Sequence, residues 1–253
     1  MTRDAATLTG LLLYSRDPER LVGFYRDLLG VPLALADHGR LGAHHEGQLA
    51  GVHIAVWGDR HGGSPVVPVF RVDDLRAADA AMLARGVARA HKIIELGEGK
   101  RVVGYRDPDG TVFRLIEVEA GAAEGEEVRA GGVRSVSAVA FLSPEPGRLA
   151  DFYGAQLGIE FSLHAHGDGA AHHEARVGAM RFAILPAQGM NAARNGVAPT
   201  FRVDELAAFV GAGGVAAGRL RGPVLALGGG RRLAPLRDPD DNAVQLIEVG
   251  SAA

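Results

Sequence analysis

The sequence predicts an α+β fold built from four βαβββ modules that are arranged as two tandem halves. An internal repeat is the first observation behind this prediction. FYRDLLGV at 24–31 recurs as FYGAQLGI at 152–159, and FRVDDL at 70–75 recurs as FRVDEL at 201–206. The offsets are 128 residues (24 to 152) and 131 residues (70 to 201), so the matches stay in order with one small shift. Ordered matches of this kind indicate a duplication of the whole half.

The first module supplies the second observation, a strand followed by a capped helix and three more strands. Residues 7–16 alternate weakly and are typical of a strand. Asp17 then provides a helix N-cap, Pro18 occupies the first helical position, and Gly30 ends the helix. The three remaining strands of this module are predicted at 31–37, 40–46 and 51–57.

The same pattern restarts in the second module, and this is the third observation. A strand at 66–72 leads into a helix at 73–86. The three strands that follow are predicted at 89–96, 100–106 and 111–118, with DPDG at 107–110 as a tight turn. The repeat carries this arrangement into the second half, where DPDD at 238–241 takes the place of the DPDG turn.

The domain organisation follows from the repeat and from one polar, glycine-rich segment. We expect a first domain at 1–120, a linker at 121–132 and a second domain at 133–253. Module boundaries are then expected near 60, 125 and 190. Each half is long enough to bury a core of its own.

The amino-acid composition excludes several classes of function for this chain. The 253 residues carry a net charge of −3 without a basic block, which argues against nucleic acid as a partner. The absence of cysteine excludes disulfides, thiolate metal ligands and a cysteine nucleophile. No membrane-length apolar run and no signal-peptide core are found, so a cytoplasmic protein with a small-molecule ligand or substrate is expected. A homodimer is left open.

The motifs DPERLVGFYRDLLG, FRVDDL and RDPDGTVFRLIEV, in this order, resemble the vicinal oxygen chelate superfamily. That superfamily includes glyoxalase I, bleomycin resistance proteins, fosfomycin-resistance enzymes and extradiol dioxygenases. The resemblance implies two tandem glyoxalase-like domains whose mixed sheets curl into cups, with the helices outside and the ligand inside. It does not define a reaction, because such folds support unrelated chemistries.

The resemblance also implies where a metal would be bound, since metal-dependent relatives take ligands from their first and last strands. In this sequence the corresponding positions hold no histidine and no carboxylate; they are Gly10, Val67 and Arg114 in the first half, and Ala138, Ala198 and Gln245 in the second. A guanidinium cannot bind a divalent ion and would repel it. We therefore expect no metal cofactor at the superfamily's positions.

The repeated tetrapeptide AHHE, at 43–46 and 171–174, is the alternative candidate for a metal site. If Gln48-Leu49 forms a two-residue hairpin turn, His44 faces His53; a three-residue loop would place His45 there instead. These histidines could hydrogen-bond the sheet or an organic ligand. They could also bind Fe, Mn, Ni or Zn, with His44, His45, Glu46 and His53 as ligands.

Strand periodicity assigns further side chains to the first cup. Val52, Ile54 and Val56 are predicted to pack on the helices, so that His53, Ala55 and Trp57 face the cup. Tyr14 is predicted to join Trp57 as a stacking surface for a planar ligand, with His45 as a further ligand contact. Arg114 needs an anionic partner, which could be Glu95 or a group of the ligand.

These residues lead to three hypotheses for function. The first is a metal-independent protein, similar to the bleomycin resistance proteins, that binds an aromatic or anionic molecule in the first cup. The second is a metal-dependent lyase, isomerase or dioxygenase with unusual ligands. The third is a metal-free isomerase or lyase, with His53 or His44 as general base and Arg114 as oxyanion stabiliser. The second cup, where Arg181, Leu185 and Leu142 replace His53, Trp57 and Tyr14, is expected to be a scaffold.

Overall fold

The computed structural model describes residues 6–39, 42–59, 64–97, 99–119, 132–165, 171–187, 196–211, 214 and 216–250. Each half forms one curled, eight-stranded sheet. The first sheet consists of β1 (Thr7–Ser15), β2 (Ala34–Asp37), β3 (Ala43–Leu49), β4 (Val52–Gly58), β5 (Val66–Arg71), β6 (Arg89–Gly97), β7 (Lys100–Arg106) and β8 (Val112–Val118). The second consists of β9 (Ser135–Ser143), β10 (Ser162–His164), β11 (His172–Val177), β12 (Met180–Pro186), β13 (Val197–Val203), β14 (Leu225–Ala226), β15 (Arg231–Arg237) and β16 (Ala243–Val249).

The helices follow the first strand of each module, as the sequence predicts. They are α1 (Pro18–Val22), which continues as a π-helical segment (Gly23–Leu28), α2 (Leu75–Ala84), α3 (Pro146–Leu157) and α4 (Leu206–Val210), with a short 3₁₀ turn at Ala217–Arg219. The predicted cap is present, because the Asp17 side chain accepts a hydrogen bond from the Arg20 backbone N–H at 3.2 Å. Gly30 has a φ of 80° where this helical segment ends.

Strand order shows how the two modules of one half combine. The first sheet runs β2-β3-β4-β1-β5-β8-β7-β6, and the second runs β10-β11-β12-β9-β13-β16-β15-β14. The modules meet where β1 pairs antiparallel with β5, and β9 with β13. Each cup is therefore formed within one half, and the predicted fold class is confirmed. The predicted linker at 121–132, except for Gly132, and the boundaries near 60, 125 and 190 lie outside the described residues.

The two faces of the first sheet have different packing. One face, with Leu11, Ile54 and Phe70, joins a continuous core that also contains residues of the helices and of the second sheet. The opposite face carries a separate small apolar cluster of Leu12, Ala55, Val67, Val69 and Val112, with Tyr14, Trp57 and Ile116 packed beside it. This alternation is the expected consequence of strand geometry. We call the second face the first cup, and the equivalent face of the second sheet the second cup.

The halves meet through a reciprocal pair of buried hydrogen bonds. Tyr153 on α3 donates to Asp107 in the first half's DPDG turn at 3.0 Å. Tyr25, in the segment after α1, donates to Asp238 in the second half's turn at 3.3 Å. Both tyrosines have no exposed surface. The FY and DPD motifs of the repeat thus join one half to the other.

Two glutamates on the last strands cap helices on the core side. The Leu75 backbone N–H donates to Glu117 at 2.7 Å, and the Leu206 backbone N–H donates to Glu248 at 2.6 Å. Glu117 and Glu248 therefore point away from the cups.

Candidate binding site in the first cup

Strand register brings the central residues of the first cup together. Tyr14 on β1 lies beside Trp57 on β4, Leu12 beside Ala55, and Gly10 beside His53. On the other side of β1, Val69 lies next to Arg114 of β8. The small apolar residues between these pairs form a floor, and polar side chains stand at its two sides.

Arg114 and Tyr14 form one side of the cup. The Arg114 Nη2 donates to the Tyr14 hydroxyl at 2.7 Å, and the guanidinium carbon lies 5.7 Å from the centre of the Tyr14 ring. Burial raises the pKa of Tyr14, and the Arg114 charge partly opposes this. Among the described residues no carboxylate forms an ion pair with Arg114, and Glu95 instead lies across from Arg101. Glu95, one of the two alternatives for the partner of Arg114, does not pair with it.

His91 on β6 extends the same side, and sequence reasoning missed it. Gly104 lies directly opposite Arg114 on the neighbouring strand β7. A Cβ on Gly104 would be 2.4 Å from His91 Nε2, so the imidazole lies over the glycine. The His91 Nδ1 is 3.0 Å from the Lys92 carbonyl oxygen. Burial lowers the pKa of His91, and the Arg114 charge acts in the same direction. A glycine inside strand β7 was the available signal.

A histidine cluster, which we define as His38, His44, His53 and Glu46, forms the other side of the cup. The Glu46 carboxylate is 2.9 Å from His44 Nε2, 3.0 Å from His38 Nε2 and 3.4 Å from His53 Nε2. The hydrogen bond from His44, together with one from His38, lowers the pKa of Glu46 to about 2. Burial lowers the pKa of His53. His38 follows the short strand β2 and was not predicted to belong to this site.

The hairpin that carries these residues differs from the prediction. Ala50 and Gly51, with φ values of 50° and 78°, form its two-residue turn. His53 consequently faces Gln48, and neither His44 nor His45 lies across from it, so the predicted pairing is wrong. His45 lies on the core side, with Nδ1 3.8 Å from Glu19 of α1. It is therefore neither a ligand contact in the cup nor a member of the histidine cluster.

Trp57 faces the cup, with its indole against the histidine cluster. The His44 ring stacks on it, with ring centres 3.5 Å apart and planes inclined by 13°. The Trp57 Nε1 is buried and has no hydrogen-bond partner. Arg114 Nε and His91 Nε2 are also buried without a partner. Three unpaired polar atoms thus lie in one cup, although most buried polar groups in folded proteins are paired.

The second cup has partners for its corresponding polar groups. Thr200 donates to the Gln245 side chain at 2.8 Å. Glu174 lies 3.6 Å from Arg181 and 3.8 Å from His172. Within the described residues, none of the unpaired buried side-chain atoms belongs to this cup.

A comparison with known protein families identifies the family of the first half of the chain. Residues 7–115 match the family model described as Glyoxalase/Bleomycin resistance protein/Dioxygenase superfamily. The first half of the chain belongs to this superfamily. The prediction of a vicinal oxygen chelate protein is thereby confirmed. No curated protein is significantly similar to the chain in sequence.

Solved structures of the vicinal oxygen chelate superfamily show the same tandem fold. The Mn(II)-bound glyoxalase from Novosphingobium aromaticivorans matches with a TM-score of 0.66 at 18% identity, over 97% of this chain and 82% of that one. The 2,3-dioxygenase LapB from Pseudomonas sp. KL28 matches with a TM-score of 0.66 at 14% identity, over 98% and 93%. Homoprotocatechuate 2,3-dioxygenase from Brevibacterium fuscum, in complex with 3,4-dihydroxyphenylacetate, matches with a TM-score of 0.70 at 15% identity, over 98% and 82%. At such identities these matches show the fold.

The superfamily's metal positions do not fit a metal in this chain. At the level of Gly10, the residue on β5 is Val69, not the predicted Val67. In the second half the corresponding residue is Thr200, not Ala198. A Cβ on Gly10 would lie 3.2 Å from the His53 carbonyl oxygen, which leaves little room for a ligand side chain there. Arg114 completes the first set with a cation.

In the described residues, no helix is long and apolar enough to cross a bilayer.

Proposed function

We propose that the first cup binds a small, planar organic anion without a metal at the superfamily's usual positions. The observation that carries this proposal is the set of three unpaired buried polar atoms in the cup, Trp57 Nε1, Arg114 Nε and His91 Nε2. Leaving a buried donor or acceptor unpaired costs about 1–3 kcal/mol. A ligand that hydrogen-bonds these atoms would remove that cost.

The charge of Arg114 favours an anionic ligand. Its only hydrogen-bonding side chain among the described residues is the neutral phenol of Tyr14. A carboxylate or phosphate accepts two parallel hydrogen bonds from a guanidinium, and such charge-assisted bonds are stronger than neutral ones. Arg114 Nε is available for one of these bonds.

The floor of the cup favours a planar apolar body. Leu12, Val67 and Val69 are at most 8% exposed and form an aliphatic floor between the two polar sides. Apolar surface with a few converging polar groups is typical of small-molecule sites. An aromatic carboxylate or aryl phosphate combines both features.

Trp57 allows a direct test, because it is the chain's single tryptophan and lies in the cup. Benzoate and phenyl phosphate are titrated while its fluorescence is followed, with neutral benzyl alcohol as the control ligand. We expect saturable quenching by the two anions, at least tenfold weaker binding in Arg114→Met, and unchanged binding in Arg181→Met of the second cup. Equal binding of benzyl alcohol, or no effect of Arg114→Met, would refute an anion site in this cup.

Catalysis on such a ligand is a second candidate, favoured by the imidazole–carboxylate pair opposite Arg114. Glu46 lies 3.4 Å from His53 Nε2 and can orient this ring as a general base. Arg114, on the other side of the floor, can stabilise a developing enolate oxygen. Deuterium uptake at the carbon next to the carbonyl group of phenylpyruvate, measured by NMR in D₂O, tests this candidate. Exchange no faster than in buffer, or fully retained in His53→Gln, would exclude it.

A further inference from the structure

We propose that His38, His44 and Glu46 bind one divalent first-row transition-metal ion at the edge of the first cup. This proposal is independent of the organic anion, and its site differs from the superfamily's positions. The superfamily's set lies on β1, β5 and β8, whereas these three residues lie on β3 and just after β2.

The geometry of the three residues supports coordination. One ligand atom from each, two imidazole nitrogens and a carboxylate oxygen, lie within 4.8 Å of one another. His44 Nε2 and His38 Nε2 approach the two oxygens of Glu46 at 2.9 and 3.0 Å. Atoms that are each about 2.1 Å from a tetrahedral metal lie about 3.4 Å apart. Small side-chain movements would therefore admit an ion between them.

The environment of His44 gives a second, independent argument. Its Nδ1 is 3.3 Å from the Gly42 carbonyl oxygen, and its Nε2 is 2.9 Å from Glu46. A neutral imidazole carries one N–H, so it can donate to only one of these two acceptors. When a metal ion replaces the Nε2 proton, Nδ1 donates to the carbonyl, and the ion binds both the Nε2 lone pair and the carboxylate. A backbone carbonyl on the remote nitrogen is the usual support of a metal-binding histidine.

Packing and backbone hydrogen bonds fix the position of the proposed metal site in the absence of an ion. His44 is 4% exposed and stacks on Trp57. Strands β2 and β3 pair through Ala36 and His44, so His38, which directly follows β2, lies at the same end of the pair as His44, and its side chain reaches Glu46. At this point Gly39 adopts a φ of 62°, and its N–H donates to Asp37 at 2.9 Å. His53 is not needed as a ligand and keeps its imidazole available to the cup.

The second AHHE copy provides an internal contrast. Glu174 lies 3.6 Å from the guanidinium of Arg181, which occupies the place of His53. His172 is 3.8 Å from the same carboxylate, farther than its counterpart in the first half. A fixed cation beside the carboxylate disfavours a second cation. The proposal therefore predicts one ion per chain, in the first half only.

The donor types define the class of metal. Imidazole and carboxylate suit Zn, Fe, Co, Ni or Mn, whereas Mg²⁺ and Ca²⁺ prefer oxygen ligands only. Zn²⁺ and Co²⁺ are suitable probes, since Zn²⁺ gives calorimetric affinity and Co²⁺ gives a visible absorption spectrum that reports its coordination.

The experiment uses tag-free, chelator-treated full-length protein with each metal alone. We expect one equivalent of Zn²⁺ by calorimetry, a visible Co²⁺ band, and a change in Trp57 fluorescence with the same stoichiometry. Glu46→Gln and the surface variant His38→Gln should each weaken binding at least tenfold, whereas the matched variant Glu174→Gln should bind as the wild type does. His38 is about half exposed, so its replacement tests the site without disturbing the core.

Three results would overturn the proposal: no binding of Zn²⁺ or Co²⁺, binding that survives His38→Gln and Glu46→Gln in folded protein, or equal weakening by Glu174→Gln. Circular dichroism verifies that each variant is folded. The benzoate titration is carried out on the chelator-treated protein, so failure of the metal site and failure of the anion site are distinguishable.

Discussion

Replacing Tyr153 by phenylalanine removes one buried hydroxyl at the junction of the halves and keeps the aromatic ring. That hydroxyl donates to Asp107 Oδ2 at 3.0 Å, whereas Oδ1 accepts the backbone N–H groups of Asp109 and Thr111. No other hydrogen bond to Oδ2 is formed by the described residues. A buried charged acceptor that loses its partner costs about 2 kcal/mol. For a chain of this size we expect a decrease in Tm of about 4–8 °C.

Tyr25→Phe is the matched variant in the other half. The Tyr25 hydroxyl is 3.3 Å from Asp238 Oδ2, which is long for an O–H···O hydrogen bond. The same oxygen also accepts from Asn242 Nδ2 at 2.8 Å, so it keeps a partner when the hydroxyl is removed. We therefore expect a loss below about 1 kcal/mol, on the scale of a weak hydrogen bond.

The pH dependence of stability distinguishes Tyr153→Phe from Tyr25→Phe more clearly. Burial raises the pKa of Asp107 to about 6, and the Tyr153 hydrogen bond opposes this rise by stabilising the charged form. Loss of the hydroxyl should raise the pKa further, so the destabilisation should be larger at pH 7.5 than at pH 4.5. Urea denaturation of both variants at the two pH values measures this. Equal losses for Tyr153→Phe and Tyr25→Phe at pH 7.5 would refute the reasoning.

Three further predictions concern the same structure. Asp107→Asn removes a carboxylate whose folded-state pKa of about 6 lies above its unfolded value. Because of this difference, the free energy of unfolding of the wild type falls by up to about 3 kcal/mol as the pH rises from 4 past 6. Urea denaturation should therefore show the variant gaining stability relative to the wild type at pH 7.5 but not at pH 4.5. Gly104→Ala should displace the His91 ring, which a Cβ would meet at 2.4 Å, and should weaken benzoate binding in calorimetry, whereas Gly218→Ala, into open space, should not. Glu117→Gln should lower stability by about 1–2 kcal/mol in thermal denaturation through a weaker cap on α2, with Trp57 fluorescence unchanged.

Strand alternation could be predicted from the sequence because it depends on neighbouring residues alone. The alternation at 52–57 correctly placed Ile54 in the core and His53 and Trp57 in the cup. The FY and DPD motifs likewise identified the fold, although their role in joining the halves depends on tertiary contacts that local patterns do not contain.

Hairpin register and strand order could not be derived in the same way. Ala50 adopts a positive φ, which is uncommon for alanine, and this placed the turn later than Gln48-Leu49. His91 lies on the edge strand β6, and His38 directly follows the other edge strand, β2. Their contributions depend on long-range pairing, which no spacing in the sequence gives; Gly104 alone indicated a close approach on β7, without naming His91 as the residue that makes it.

The reciprocal tyrosine–aspartate contacts have a consequence for the history of the chain. Two separate copies of one half would make both contacts across a two-fold axis, since residue i of one copy would meet residue j of the other and the reverse. Fusion of the copies removes the requirement that they remain identical. Side chains at the junction must still match their partners, whereas the cup walls are free to diverge. The replacement of His53 by Arg181, at equivalent positions, lies in such a wall.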